Sequence, residues 1–247
     1  MAWFGRLAYN FALRCNGVAI NFRGNYGMTK AEERYLSKVA PGFSSGVILD
    51  VGANEGFYGA FVRRIAPQCR IFAFEPHPST YARLAQRSAP LSIAAINLAL
   101  SDVAGTVDLF DFAADDGSSM ASLSEAAVGF YDEAATRHSI SAVTLDAWLA
   151  ENEIAEVALL KIDTEGFDYR VLLGAAKAIA AKKFKIIQFE FIPANIVTRG
   201  TMRDIFSALL GYDVYRICLN GQLLPLSPYS VKYCEIYITQ NLIALPT

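Results

Sequence analysis

Short apolar stretches alternate along the chain with stretches of helical periodicity. β-Branched or alternating segments predict strands at residues 47–51, 70–74, 93–100, 106–112, 157–162 and 184–191. Apolar residues at helical spacing predict helices at residues 57–65, 80–87, 145–152, 169–181 and 201–210. Ser79 is the expected cap of the second helix and Thr144 precedes the third. This order of elements predicts an α/β fold with a mostly parallel central sheet and helices on both faces.

The pattern changes after the last of these helices. Residues 214–219 and 222–226 flank an Asn220-Gly221 pair, which is typical of a hairpin turn. Residues 231–239 form the last predicted strand. We therefore expect the sheet to end in antiparallel pairing.

Length and composition limit the class of protein. The chain has 247 residues, 53% of them hydrophobic and 19% charged, so it can bury a large core and is not intrinsically disordered. Its net charge of −2 gives no overall basic field, and no nucleic-acid partner is expected. Because no repeat or linker is visible, we predict one domain over residues 46–247 after a helical extension over residues 1–45.

The four cysteines occur without a CxxC pair and without clustered histidines. Their spacing supports neither a disulfide scaffold nor a structural zinc site. Free thiols are typical of a reducing compartment, so we expect a cytoplasmic protein.

The N-terminal extension begins with an apolar stretch that Arg6 and Arg14 interrupt. The uncharged run between these arginines, residues 7–13, is far below the roughly 20 residues that a membrane span needs, and no transmembrane segment is expected. Trp3 and Phe11 fall at the spacing of an amphipathic helix. Such a helix packs on the main domain, on an oligomer partner, or weakly on a membrane surface.

A glycine-containing turn follows the first strand, with the sequence Asp50-Val51-Gly52-Ala53-Asn54-Glu55-Gly56. A strand, a glycine turn and a helix in this order favour an adenosine cofactor. Asn54 stands where a dinucleotide-binding GxGxxG motif needs its second glycine. Asp50 is suited to anchor the ammonium of a methionine-like group. A purely structural turn is the alternative.

Further acids follow the next two strands. Glu75 lies 23 residues after Gly52, where an acid binds both ribose hydroxyls. Ser101 and Asp102 follow the third strand, and Asp102 is suited to accept the adenine amino group. The alternatives are a helix-terminal acid for Glu75 and a turn former for Asp102.

Charged residues also cluster at the end of the strand over residues 157–162. Lys161, Asp163 and Glu165 share parity, so in an extended chain they point the same way. Glu190, near the end of the next strand, adds another acid at this edge. A structural ion pair of Lys161 with a carboxylate is the alternative.

As a set, these motifs resemble the FkbM family of S-adenosylmethionine-dependent methyltransferases. The matching stretches are DVGANEG (50–56), FEPHP (74–78), ALSD (99–102), VTLDAWL (143–149), LLKIDTEGFD (159–168), VLLGA (171–175) and QFEF (188–191). The resemblance implies a Rossmann-like class I methyltransferase fold whose mostly parallel sheet has an antiparallel C-terminal strand. One departure is Gly59, where the family often has serine or threonine.

The resemblance further implies the cofactor S-adenosylmethionine and an acceptor hydroxyl on a sugar, a glycan or a small hydroxylated metabolite. The residues expected to bind the cofactor are Asp50, Gly52, Ala53, Asn54, Gly56, Glu75, Pro76, Ser101, Asp102 and Asp163. The glycine turn is expected to bind the methionine part, Glu75 the ribose and Asp102 the adenine. Asp163 and Glu165 are expected to line the transfer site.

A neutral hydroxyl is a poor nucleophile, so a general base is expected. The candidates are Asp163, Glu165, Glu190 and His138, of which His138 has the most suitable ordinary pKa but lies in a polar stretch. No ligand spacing demands a metal, and none is predicted; carboxylates holding a divalent ion are the alternative. Ser118 and Ser119 either shape the pocket or serve as turn residues.

Two other functions compete with methyl transfer. One is an NAD(P)-binding oxidoreductase on a similar sheet, which Asn54 and the lack of a Tyr-xxx-Lys site oppose. The other is a cofactor-binding scaffold without activity, which the intact acids Asp50, Glu75 and Asp163 oppose. An oligomer is compatible with all of these.

Overall fold

The computed structural model describes residues 2–20, 28–112, 117, 121–130 and 135–247. Its strands are β1 (Val47–Val51), β2 (Arg70–Phe74), β3 (Ala94–Ile96), β4 (Ala99–Leu100), β5 (Gly105–Phe112), β6 (Ala135–Val143), β7 (Leu159–Ile162), β8 (Ile187–Phe191), β9 (Tyr212–Ile217), β10 (Leu223–Pro225) and β11 (Gln240–Pro246). Its α-helices are α1 (Ala2–Cys15), α2 (Lys30–Val39), α3 (Phe57–Ile65), α4 (Pro78–Ser88), α5 (Glu125–Gly129), α6 (Leu145–Glu151), α7 (Asp168–Leu173), α8 (Ala176–Ala180), α9 (Asn195–Thr198), α10 (Met202–Ala208) and α11 (Val231–Cys234). Short 3₁₀ helices cover Ala40–Phe43 and Ala89–Leu91.

The main sheet has the strand order β10-β9-β11-β8-β7-β1-β2-β3. Pairing is parallel from β3 through β8, whereas β11 runs antiparallel to both β8 and β9. Every residue of β1 and β7 is buried, as expected for central strands of a sheet covered on both faces. The predicted α/β fold, with its mostly parallel sheet and antiparallel C-terminal strand, is confirmed.

Alternate residues of the central strands feed two cores. Leu49 of β1 packs in one core with Trp148 of α6, and Ile48 packs in the other with Phe61 of α3. Leu36 of α2 belongs to this second core. Of the predicted extension over residues 1–45, α2 therefore packs on the sheet, whereas the side chains of α1 from Trp3 onward are almost all exposed. No described helix is long and apolar enough to cross a membrane.

The single strand predicted over residues 93–100 is wrong, because the chain changes sheets there. β3 pairs with β2, but β4 pairs with β6 in a smaller sheet of order β4-β6-β5. Between them, Asn97 donates from Nδ2 to the carbonyl oxygens of Glu75 (2.9 Å) and Pro76 (3.0 Å). These bonds tie the crossing point to the end of β2.

The strand predicted over residues 231–239 is also wrong. Residues 231–234 form α11, and the amide of Cys234 donates to the carbonyl of Ser230 at 2.8 Å. The last strand is β11, whose Leu242, Ile243 and Ala244 are fully buried. The strand between β8 and β9 is therefore formed by the continuous apolar run of residues 242–245, and not by the mixed apolar and polar residues 231–239.

Two predicted helices differ in detail. The helix over residues 169–181 divides into α7 and α8 at Gly174, where a Cβ atom would overlap the carbonyl oxygen of Ser101. Ser79 is not a cap, because α4 begins at Pro78 after His77. Thr144 does cap α6, accepting from the amide of Ala147 at 3.2 Å.

Candidate active site

A cleft opens at the carboxyl ends of β1, β2 and β7. This is the edge at which parallel α/β sheets bind ligands. The lining side chains come from both sheets and from the turns after β1, β2 and β7: Val51, Gly52, Asn54, Phe74, Glu75, Pro76, Leu98, Ala99, Leu100, Leu109, Ala121, Ser122, Leu123, Asp163, Thr164 and Glu165.

The turn after β1 requires glycine. Gly52 has φ +76°, and a Cβ atom there would overlap the carbonyl oxygen of Asp163. Amides of Gly52 and Ala53 donate to the carbonyl of Phe74 at 3.1 and 2.9 Å. Gly56, with φ +83°, leads into α3. The glycine turn is therefore held against both neighbouring strands, and the space that a side chain at residue 52 would need is filled by the backbone of Asp163.

The carboxylate of Glu75 joins two turns at the cleft. Its Oε2 accepts the amide of Asn54 at 2.9 Å, and its Oε1 accepts the amide of His77 at 2.9 Å. Burial raises the pKa of Glu75 to about 7, against the effect of these two hydrogen bonds. Each carboxylate oxygen has a second lone pair, so the group is fixed and can still accept from a ligand.

Asp50 is a buried acid below the glycine turn, with 2% of its surface exposed. Its Oδ2 has no hydrogen-bond partner within the described part of the chain. Burial raises the pKa of Asp50 to about 7, which the charge of Lys161 opposes. A Cβ atom at Gly59 would lie 3.6 Å from this Oδ2, so the family's usual serine or threonine would place a hydroxyl beside it. A buried carboxylate oxygen without a partner fits a cationic ligand group.

The acids after β7 surround one buried lysine. Lys161 donates from Nζ to Oδ2 of Asp163 at 3.1 Å, so the ion pair given as the alternative is present. Glu165 has a left-handed backbone (φ +51°), which ends the extended parity predicted for these residues. Burial and the charges of Asp163 and Asp168 raise the pKa of Glu165 to about 8.

Asp168 connects this turn to the next strand. Its Oδ2 accepts from the amide and the hydroxyl of Thr164 at 3.2 and 2.7 Å, and its Oδ1 accepts the amide of Glu190 at 3.1 Å. Burial, followed by the charge of Asp163, raises the pKa of Glu190 well above its usual value. With its amide nitrogen turned toward the acid, Asn241 donates to Oε1 of Glu190 at 2.9 Å.

Seven predicted residues are not part of the described lining of the cleft: Asp50, Ala53, Gly56, Ser101, Asp102, His138 and Glu190. His138 packs edge-on against His77 at 4.5 Å between ring centroids, on the smaller sheet. Asp102 accepts Nη1 of Arg170 at 2.8 Å and the Ser101 hydroxyl at 3.1 Å. Ser118 and Ser119 lie outside the described residues.

The cleft also contains a wall that the sequence motifs did not indicate. Ser122 pairs with Phe110 through two 2.9 Å backbone hydrogen bonds, and its hydroxyl donates to the carbonyl of Glu165 at 3.2 Å. Leu109 and Leu123 add apolar surface beside it. The sequence signal for this wall was the alternating pattern of β5. It predicts one apolar face of the strand but does not say which part of the chain packs on that face.

Residues 50–214 match the family model of the methyltransferase FkbM domain. The chain belongs to the FkbM methyltransferase family. Its cofactor is S-adenosylmethionine, and the oxidoreductase interpretation no longer applies.

Three curated relatives are similar to this chain over 58–77% of its length. The hexuronic acid methyltransferase AglP of Haloferax volcanii is 26% identical over 69% of this chain and 66% of its own length. The methyltransferase sdnD of Sordaria araneosa is 28% identical over 77% of this chain and 86% of its own. The 2-O-methyltransferase NoeI of Sinorhizobium fredii is 26% identical over 58% of this chain. This match covers 63% of NoeI. The chain therefore spans just under two thirds of the length of both AglP and NoeI.

Proposed function

We propose that this chain methylates a hydroxyl oxygen of a sugar, a glycan or another small hydroxylated molecule. The observation that carries the proposal is that the fixed Glu75 carboxylate, after β2, and the Asp163–Glu165 turn, after β7, line one cleft on either side of β1. The names of AglP and NoeI, a hexuronic acid methyltransferase and a 2-O-methyltransferase, support a sugar hydroxyl as the acceptor.

The residues present fit S-adenosylmethionine. The unpartnered Oδ2 of Asp50 suits its ammonium, and the lone pairs of Glu75 suit the two ribose hydroxyls. Gly52 lines the cleft and would face the methionine chain, and the apolar wall of Leu98 and Leu100 suits the adenine. When bound, the cofactor supplies an electrophilic methyl group.

We propose that this chain's own acids orient the acceptor and remove its proton. Among the four predicted base candidates, Asp163 and Glu165 line the cleft in the described structure, whereas Glu190 and His138 do not. Lys161 fixes Asp163, which can therefore accept the acceptor hydroxyl in a defined position. Burial and the charges of Asp163 and Asp168 raise the pKa of Glu165 to about 8, and in its ionised form this carboxylate takes the proton.

Calorimetric titration of the full chain tests the cofactor half of the proposal. We expect S-adenosylhomocysteine to bind and NAD to give no signal. Incubation with S-adenosylmethionine and a panel of neutral and acidic glycosides, followed by mass spectrometry, tests the acceptor half. Methylation at nitrogen or carbon with no O-methylated product would contradict the proposal.

Our proposal for the cellular location is based on the cysteine thiols. All four cysteines, Cys15, Cys69, Cys218 and Cys234, are free, and two of them are buried. Free thiols support a reducing compartment, and we propose that the protein acts in the cytoplasm.

A further inference from the structure

The first helix leaves large apolar side chains in solvent. The exposed fractions are 74% for Trp3, 72% for Phe4, 48% for Leu7 and 70% for Phe11. Trp3 and Phe4 are adjacent, and Leu7 and Phe11 follow one and two helical turns later, so all four share one side of α1, which we call the aromatic face. Tyr9, 60% exposed, lies on the opposite side. The expectation that this helix packs on the main domain is therefore wrong for its apolar side.

The end of α1 is fixed to the body at a defined place. Val18 forms a β-bridge with Gln240, and the buried Arg216 donates from Nη1 to the carbonyl of Asn16 at 3.1 Å. Gln240 lies opposite Phe191, at the carboxyl end of β8. The cleft opens at the carboxyl ends of strands parallel to β8. The helix therefore joins the body at the same edge of the sheet.

The part of the sequence that contains this helix is basic, whereas the rest of the chain is acidic. The first acid in the sequence is Glu32, whereas Arg6, Arg14, Arg23 and Lys30 precede it. The rest of the chain holds 18 lysines and arginines against 24 aspartates and glutamates. Such an asymmetry is typical of a basic segment that meets an anionic surface.

We propose that α1 binds the surface of an anionic lipid bilayer, with the aromatic face of Trp3, Phe4, Leu7 and Phe11 in the boundary between headgroups and acyl chains. Tryptophan and phenylalanine rings favour this boundary, and basic residues gain from anionic headgroups. The 14 residues of α1 extend about 21 Å, which is too short to cross a hydrocarbon core of about 30 Å. A second copy suits the face less well, because it would bring two basic, acid-free helices together.

Binding of α1 to a bilayer would also determine where the cleft lies relative to the membrane. A helix lying on the bilayer would hold the carboxyl edge of the sheet close to the membrane surface, where acceptors attached to lipids are presented. The binding of α1 itself does not depend on the proposed function.

Flotation of the full chain with vesicles tests the inference. We expect binding to vesicles of phosphatidylcholine mixed with phosphatidylglycerol, weaker binding to pure phosphatidylcholine, and release as salt is added. The emission of Trp3 should shift to shorter wavelengths on binding. The other tryptophan, Trp148, is 6% exposed and should not respond.

Matched variants separate the aromatic face from the rest of the helix. Phe4→Ser combined with Phe11→Ser should lower the bound fraction by about tenfold or more, because two large apolar side chains no longer enter the bilayer. Tyr9→Ser, on the opposite side, should bind as the unmodified chain does. Affinity for S-adenosylhomocysteine serves as the folding control for all three proteins.

Three outcomes would overturn the inference. One is that the unmodified chain stays out of the vesicle fraction under all lipid compositions. Another is that the double variant floats as well as the unmodified chain. The third is a dimer in light scattering that Phe4→Ser with Phe11→Ser dissociates, which would assign the aromatic face to a second copy.

Discussion

The Nζ atom of Lys161 lies 3.1 Å from Oδ2 of Asp163, and Lys161 is only 3% exposed. Burial acts to lower the pKa of this lysine, but the charges of Asp163, Glu32, Glu190 and Asp168 more than offset burial and raise it. The ammonium therefore stays charged beneath the cleft. It compensates acids from α2, β8 and the turn after β7 at once, and so links three parts of the fold.

Lys161→Met should destabilise the protein strongly. Removing the cation leaves several buried acids without compensation, and the expected loss is about 3 kcal/mol in the free energy of unfolding at neutral pH. Urea denaturation measures it, with Lys177→Met on the exposed side of α8 as the control. Equal stability of the two variants would show that Lys161 does not hold this cluster together.

Glu75→Gln should weaken binding of S-adenosylhomocysteine by tenfold or more. The amide keeps the shape of the side chain but lacks the charge, and hydrogen bonds to a charged group contribute about 1.5–3 kcal/mol each. Calorimetry on the folded variant measures the change. Glu55→Gln is the control, since Glu55 follows Asn54 in the glycine turn but pairs with Arg83 and Arg87. If both variants bound equally well, Glu75 would not contact the ribose.

The stability of the ligand-free protein should fall as pH rises from 5 to 8. Burial raises the pKa of Asp50 to about 7, whereas the unfolded chain has an ordinary value near 3.9. Between these values the folded state binds the additional proton, so this stabilisation is present at low pH and is lost as pH rises through 7. The contribution of one such group over that range is about 3 kcal/mol. Denaturation of the unmodified chain and of Asp50→Asn, at both pH values, should give a smaller fall for the variant.

Cofactor affinity should change with pH in the opposite direction. An ammonium group binds the ionised form of Asp50, and the ionised fraction rises about tenfold between pH 6 and pH 8 if the pKa is about 7. Calorimetric titration with S-adenosylhomocysteine at these two values should therefore give tighter binding at pH 8. In Asp50→Asn the dependence should flatten. A slope that is the same in both proteins would place the titrating group elsewhere, with Glu75 the next candidate.

The fold was largely predictable because its central strands are continuous apolar runs. Val47–Val51 and Arg70–Phe74 have the predicted bounds, and all of β1 is buried. The errors occur where a contact distant in sequence decides the structure. Gly174 follows the last residue of α7 and leaves no room for a side chain because the carbonyl of Ser101 lies against it, a contact that no local pattern contains.

The site was predictable where a single strand end supplies it. Gly52 and Glu75 follow β1 and β2 directly, and both line the cleft. The wall from Ala121–Leu123 comes from the smaller sheet, whose contact with the main sheet depends on where the chain crosses after Asn97. The ion pair of Asp102 with Arg170 spans 68 residues, so no local pattern indicated it, and the adenine contact of Asp102 stays a prediction.

Asp163→Asn should lower turnover much more than cofactor affinity. Asp163 shares a lining with Glu165 and faces Lys161, so we place it on the acceptor side of the cleft. The asparagine retains a carbonyl oxygen for the hydroxyl but loses the charge that the lysine fixes, and a misplaced acceptor slows in-line transfer by about a hundredfold. Steady-state kcat with an identified acceptor and calorimetry with S-adenosylhomocysteine measure the two effects separately. A large loss of affinity with normal kcat would instead assign Asp163 to the cofactor, as one of its predicted roles has it, and would leave Glu165 as the acid that meets the acceptor.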